Sequence, residues 1–166
     1  TKQVALLTEN IVLVGMPGSG KTTVGKILAK KLNKEFVDTD ELVVKLAGKT
    51  ITEIFSKEGE EKFREYEKEA VLIAGNFRNA VISTGGGVVK NIENKKPLSL
   101  NGKIVYIKRD LSELSTDGRP LSKSKEELEK IYNERKDKYC DFSFAFVNND
   151  KTPTDTAREI IKICEY

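Results

Sequence analysis

At 166 residues, 33% of them charged and with a formal net charge of only +3, the chain suits one well-solvated domain around a single core and lacks the concentrated basic excess of a nucleic-acid binder. Its apolar runs are strand-sized and its first residues show no charged stretch ahead of a long apolar one, so neither a signal peptide nor a membrane span is expected. There is no histidine, and the two cysteines, Cys140 and Cys164, form no C-x-x-C pair, which leaves a zinc site short of soft ligands and points to reduced thiols in a cytoplasmic protein.

Residues 1–10 carry no evident role and are expected to be an extension or linker, possible in a domain of a longer, multifunctional polypeptide; residues 11–166 form the working domain. Ile11-Val12-Leu13-Val14 reads as a buried strand that runs into Gly15-Met16-Pro17-Gly18-Ser19-Gly20-Lys21-Thr22, a full G-x-x-x-x-G-K-[ST] phosphate loop. Gly15, Gly18 and Gly20 let successive backbone N–H groups face inward at the positive end of the next helix. Lys21 reaches the β- and γ-phosphates, Thr22 offers a hydroxyl to Mg²⁺, and Ser19 and Thr23 complete the nucleotide-binding set. Val24, Ile27, Leu28 and Leu32 then mark an amphipathic helix ending near Asn33.

Glu35-Phe36-Val37 is a short strand that delivers Asp38 and Asp40 to the carboxyl edge of a parallel sheet, where ligands bind. One of the two can also cap a helix starting at Glu41. Gly48 ends that helix, Thr52 is expected to cap a short second one, and a longer helix runs from about Gly59 to Ala74 with Phe63, Tyr66, Ala70 and Ile73 as its core stripe. Arg64 and Glu67, three apart on it, would by themselves be an exposed ion pair of little worth. Ala80 to Ser83 is a third strand leading into Gly85-Gly86-Gly87, either a loop that must approach a ligand closely or a flexible linker.

Asn91 to Gly102 reads as a polar connection with a single helical turn, and Lys103 to Lys108 as the fourth strand. The Ser-, Asp- and Gly-rich stretch from Asp110 to Ser124 reads as a mobile loop on which Arg119-Pro120-Leu121 can close over phosphates. Glu126 to Tyr139 is a charged helix on which Arg135, on spacing alone, would merely complement the helix dipole. Phe142 to Val147 is the last strand; Thr152-Pro153 opens a final helix that buries Ala157, Ile160, Ile161 and Cys164. The alternation predicts an α/β fold: a P-loop kinase-like three-layer αβα sandwich with a five-stranded parallel sheet and a mobile lid.

No N-K-x-D reads guanine and no apolar strand ends in Asp-Glu, which leaves a small-molecule kinase. From about Asn10 onward the chain resembles the shikimate kinase family, on the phosphate loop, Asp38-Thr39-Asp40, Phe63-Arg64-Glu65-Tyr66-Glu67, Gly85 to Gly87, Arg119-Pro120-Leu121 and Arg135 to Tyr139, all in the family's order. The resemblance implies ATP-dependent phosphorylation of shikimate at its 3-hydroxyl with Mg²⁺, in a usually monomeric enzyme. It implies that Arg64 and Arg135 hold the shikimate carboxylate, that Glu67 orients Arg64, and that Asp40 accepts from the ring hydroxyls as candidate base. Gly86 would offer a backbone N–H between Gly85 and Gly87; Asp38 and Thr22 would serve Mg²⁺; Lys21 and Arg119 would neutralise the transferring phosphoryl group. The arginine that packs on adenine in the family has no clear counterpart before Arg119, and after the last strand Lys151 is the nearest match. A gluconate kinase, or a binding module without turnover, are the competing expectations.

Overall fold

The structure, a computed structural model, describes residues 8–114 and 124–164. Five strands alternate with helices along the chain: β1 Asn10–Val14, α1 Lys21–Leu32, β2 Glu35–Asp38, α2 Thr39–Ala47, α3 Ile51–Lys57, α4 Gly59–Gly75, β3 Ala80–Ser83, α5 Lys95–Leu100, β4 Gly102–Lys108, α6 Lys125–Phe142, β5 Ala145–Asn148 and α7 Pro153–Cys164. All strand pairs are parallel and the order is β2-β3-β1-β4-β5. The first strand therefore lies at the centre, with Ile11 opposite Val81 on one side and Lys103 on the other.

Because side chains alternate across a strand, β1 feeds two cores. Val12 and Val14 join Ile82, Ile104 and Tyr106 under α4, α5 and α6 through Val71, Leu98 and Tyr139. Ile11 and Leu13 join Val81, Val105 and Val147 under α1 and α7 through Leu28 and Ile160. A smaller cluster of Val43, Ile54, Phe63 and Ala70 ties α2, α3 and α4 together beyond the sheet edge. This is the expected three-layer sandwich, and every strand ends its run toward the same edge.

Local chemistry corrects several boundaries. The cap of α3 is Thr50, not Thr52: its hydroxyl accepts from Glu53 N at 3.2 Å while Glu53 reaches back to Thr50 N, a complete capping box. Helix α2 starts at Thr39 rather than Glu41, because Asp38 accepts from Asp40 N at 2.9 Å and pulls both into the cap and first turn. Ile73 is exposed; the buried stripe of α4 is Phe63, Glu67, Ala70, Val71 and Ala74, a one-sided seven- and four-residue spacing that places a carboxylate in the core face. Phe142 closes α6, and β5 begins only at Ala145. Asn91 to Gly102 is more helical than expected, with a 3₁₀ turn at Ile92–Asn94 followed by α5. Ile161 is half-buried, whereas Ala157, Ile160 and Cys164 are buried as anticipated.

Candidate active site

Between β1 and α1 the chain turns through Gly20 at φ 94°, and α1 opens with no side-chain cap. A Cβ on Gly20 would come within 2.5 Å of Asn149 Nδ2, so backbone angle and space both demand glycine. The uncapped first-turn N–H groups form an anion site at the positive end of the helix. Lys21 is buried, and its Nζ donates to Gly15 O at 2.8 Å and Met16 O at 2.9 Å, so the cation bridges the two ends of its own loop.

A cavity of about 230 Å³ opens over the loop, lined by Gly18, Ser19, Gly20, Lys21, Thr22 and Thr23 together with Asp38, Asp40, Thr84 and Arg109. The end of β2 thus brings both aspartates to the phosphate loop, two strands away in the sheet. Burial pushes the Asp38 carboxyl above its ordinary range, reinforced by the charge of Asp40 and opposed by the Asp40 amide that it accepts from. Thr22 and Asp38 present hard oxygens to one space, and no group of three or more acidic, histidine or cysteine side chains that could hold a metal gathers anywhere among the described residues. That donor set fits Mg²⁺, which takes few protein oxygens and fills its shell with water and phosphate.

Next to this cavity the glycine triplet threads between fixed groups. A Cβ on Gly85 would stand 2.8 Å from Asp40 Oδ1 and 3.2 Å from Glu67 Oε2; one on Gly86 would press Pro17 at 2.7 Å; one on Gly87 would strike the Arg64 guanidinium. The linker reading of the triplet is thereby excluded: Gly85 to Gly87 is a packed loop, buried throughout, at which three side-chain groups and the phosphate loop meet. Arg64 Nη1 donates to Glu67 Oε1 at 2.9 Å and its Nε to Glu60 Oε2 at 3.3 Å, while Lys90 Nζ donates to the same Glu60 oxygen at 2.6 Å.

Glu67 is 1% exposed, so the pair with Arg64 is not the surface contact that spacing alone suggests. Burial pushes its carboxyl up, against the opposing pull of Arg64 and, more weakly, Arg135. Its Oε2 and the hydroxyl of Ser19 are buried without a hydrogen-bond partner among the described residues, one polar atom on each side of the junction.

Arg135 is 5% exposed, which overturns the reading of a dipole partner on a solvated face. One turn further on, Tyr139 is fully buried, stacks on Tyr106 with ring centroids 5.0 Å apart, and donates its hydroxyl to Gly86 O at 2.5 Å. Burial pushes this phenol up to about 12 although Arg135 lies beside it, so it remains a donor. The R-x-x-x-Y spacing thus places a cation and its neighbouring hydroxyl on one buried face of α6.

Two contributors left no mark in the sequence reading. Arg109, at the end of β4, donates from Nη1 to Gly18 O at 3.3 Å. Asn149, just past β5, donates from Nδ2 to Ser19 O at 2.8 Å and accepts from Thr156 Oγ1 at 2.8 Å. Each acts on the phosphate loop from far along the chain, and only the parallel topology reveals it. Lys151 is exposed and is not among the residues lining the cavity. Arg119 and its Arg-Pro-Leu stretch lie outside the described residues.

A parallel sheet with a phosphate loop on its central strand, two aspartates at its carboxyl edge, and half-buried Arg64 and buried Arg135 about a buried glutamate beside them defines a P-loop kinase that acts on a small anionic acceptor. The family model for shikimate kinase matches residues 17–165. The chain belongs to the shikimate kinase family. It is 42% identical over 164 residues to the shikimate kinase of Caldanaerobacter subterraneus subsp. tengcongensis, covering 93% of this chain and 95% of that one. It is 44% identical over 166 residues to that of Caldicellulosiruptor bescii, with the same coverage. The solved structure of shikimate kinase from Acinetobacter baumannii in complex with shikimate superposes with a TM-score of 0.90 at 29% identity, covering 98% of this chain and 96% of that one. The family's reaction is transfer of the γ-phosphoryl group of ATP to shikimate, with Mg²⁺.

Proposed function

We propose that the chain phosphorylates the 3-hydroxyl of shikimate in the cavity above the phosphate loop, with the residue roles that follow. The observation that supports it most is the pair of Arg64 with buried Glu67, set against Gly85 to Gly87 and Asp40, directly beside the phosphate loop. A guanidinium held by a buried carboxylate keeps a fixed orientation, which is what a planar carboxylate ligand needs. Arg64 and Arg135 take the shikimate carboxylate. Asp40 accepts from the ring hydroxyls, and the N–H of Gly86 supports one of them.

The 3-hydroxyl oxygen attacks the γ-phosphorus, the bond from that phosphorus to the bridging oxygen breaks, and ADP leaves with the electron pair. The hydroxyl proton passes to Asp40. In a loose transition state that proton can depart late, so the first duty of Asp40 is to align the oxygen. Lys21 and Arg119 neutralise the equatorial oxygens, whose charge develops in a site built for it. Thr22 and Asp38 would hold Mg²⁺, which supplies charge neutralisation on the β- and γ-phosphates. Gly15, Gly18, Ser19, Gly20 and Thr23 cradle the nucleotide phosphates, and Lys151 covers its outer side.

Residues 11–166 form most of the catalytic unit; of residues 1–10, expected to be an extension or linker, Asn10 belongs to the unit, because it opens β1, is buried and accepts from Ala80 N at 2.9 Å. The unit works in the cytoplasm as a monomer, alone or within a longer polypeptide; its two thiols, Cys140 and Cys164, are free. ADP release from ATP and Mg²⁺ tests this reading when shikimate is run beside gluconate, quinate and no acceptor. Release only with shikimate is expected. Equal release with gluconate, or shikimate binding without release, would overturn it.

A further inference from the structure

We propose that Arg109 is a second fixed cation of the phosphate loop, which grips the nucleotide's β- and γ-phosphates beside Lys21. The proposal rests on the kinase reading given above. In the sheet order, the acceptor groups on β2 and beyond β3 lie on one side of central β1, whereas β4 and β5 lie on the other. A nucleotide that meets the acceptor over the phosphate loop must extend toward β4 and β5. Arg109 closes β4 on that side, and its guanidinium is already tied to the loop at Gly18 O, 3.3 Å away.

The contact fixes where the charge stands. Gly18 lies within the loop whose amides receive phosphate oxygens, so a guanidinium bonded to its carbonyl stands beside the bound triphosphate rather than out over the base. One of five N–H donors is used on Gly18, and Arg109 also lines the cavity with Lys21, Thr22, Asp38 and Asp40. Within that cavity the side chains contribute two cations and two carboxylates, Lys21 and Arg109 against Asp38 and Asp40. Without Arg109 the lining would be net negative, an unfavourable reception for a nucleoside triphosphate.

A neighbouring hollow of about 260 Å³, lined by Tyr106, Lys108, Arg109, Asp110, Leu111 and Tyr132, shares this arginine as a wall. A guanidinium standing between two hollows, half-buried and anchored at a strand end, is positioned by the sheet.

The test compares wild type with Arg109→Gln and Arg109→Lys in the full chain. It uses inorganic tripolyphosphate and adenosine as separate inhibitors against ATP: one carries the phosphates without the base, the other the base without phosphates. For Arg109→Gln the KM for ATP and the Ki for tripolyphosphate should both rise by about tenfold or more, the loss of one charged hydrogen bond. The Ki for adenosine and the KM for shikimate should stay within twofold, and Arg109→Lys should recover part of the loss.

A rise in the adenosine Ki with tripolyphosphate unmoved would assign Arg109 to the base and overturn the proposal. So would unchanged constants, or an equal rise in the KM for shikimate, which marks a merely structural role. Calorimetric binding of tripolyphosphate gives the same comparison without turnover. A wild type that released no ADP with shikimate would therefore refute the kinase reading while Arg109 is still tested.

Discussion

Arg64→Ala strikes ligand recognition and the upkeep of the buried glutamate together, because it removes the cation that serves both. If Arg64 makes charged hydrogen bonds to the acceptor carboxylate, shikimate affinity should fall by about 1.5–3 kcal/mol, roughly 10- to 150-fold. ATP affinity should hold, because Arg64 is absent from the lining of the phosphate cavity. The second effect is on stability. Glu67 stays buried at 1% exposure with its main counter-charge gone, and breaking a buried pair in this way costs about 3–5 kcal/mol.

Burial already raises the Glu67 carboxyl in the presence of Arg64, and removal of Arg64 raises it further. A carboxyl raised on folding binds its proton more tightly in the native state, so stability falls as pH climbs from the unfolded value of about 4.3 through the folded one. The Arg64→Ala melting temperature should therefore lie near wild type at pH 4.5. By pH 8 it should fall below wild type by about 6–12 °C, taking the lower cost of about 3 kcal/mol. The double variant Arg64→Ala/Glu67→Gln should recover most of that temperature and none of the shikimate affinity. A pH-independent loss, or a parallel loss of ATP affinity, would refute the reasoning.

Lys21→Ala should lower kcat far more than it weakens shikimate binding, read by steady-state kinetics beside calorimetry; unchanged kcat would remove Lys21 from the phosphate site. Asn149→Ala leaves Ser19 O without its donor and should raise the KM for ATP severalfold at constant shikimate affinity, with about 1–3 kcal/mol of stability lost in denaturant melts. Tyr139→Phe deprives Gly86 O of its donor and should cost about 1–3 kcal/mol, with a raised KM for shikimate. Because burial holds that phenol up to about 12, the difference from wild type should be flat between pH 6 and pH 9.

What the sequence disclosed and what it withheld follow from range. The phosphate loop, Asp38 with Asp40, and the Gly85 to Gly87 turn are local patterns at strand ends, and each stands where its pattern placed it. The central, twice-buried strand was legible as a continuous apolar run. Contacts that span the chain were not: Arg109 reaches Gly18 across 91 positions and Asn149 reaches Ser19 across 130, and neither is flagged by its neighbours. Glu67 looked like a solvated partner because charge was read from residue type, whereas its position in the stripe with Phe63, Ala70, Val71 and Ala74 determines its burial. Thr52 is the cap that composition suggests, whereas Thr50 is the one three residues ahead of Glu53, whose carboxylate answers the Thr50 N–H.

The anchoring of Ser19 by Asn149 has a consequence for the order in which a ribosome completes the nucleotide site. The glycine loop is made before the segments that frame it: its strand pairs on both sides with segments made much later, β3 and β4, and its carbonyl at Ser19 waits for a residue beyond β5. At translation rates of about 5–20 residues per second, roughly 6–25 seconds separate synthesis of the loop from synthesis of its anchor. Through that interval the nascent chain carries the phosphate motif without the anchor that holds Ser19 O, so ATP can assist folding of the finished site only once Asn149 has been made.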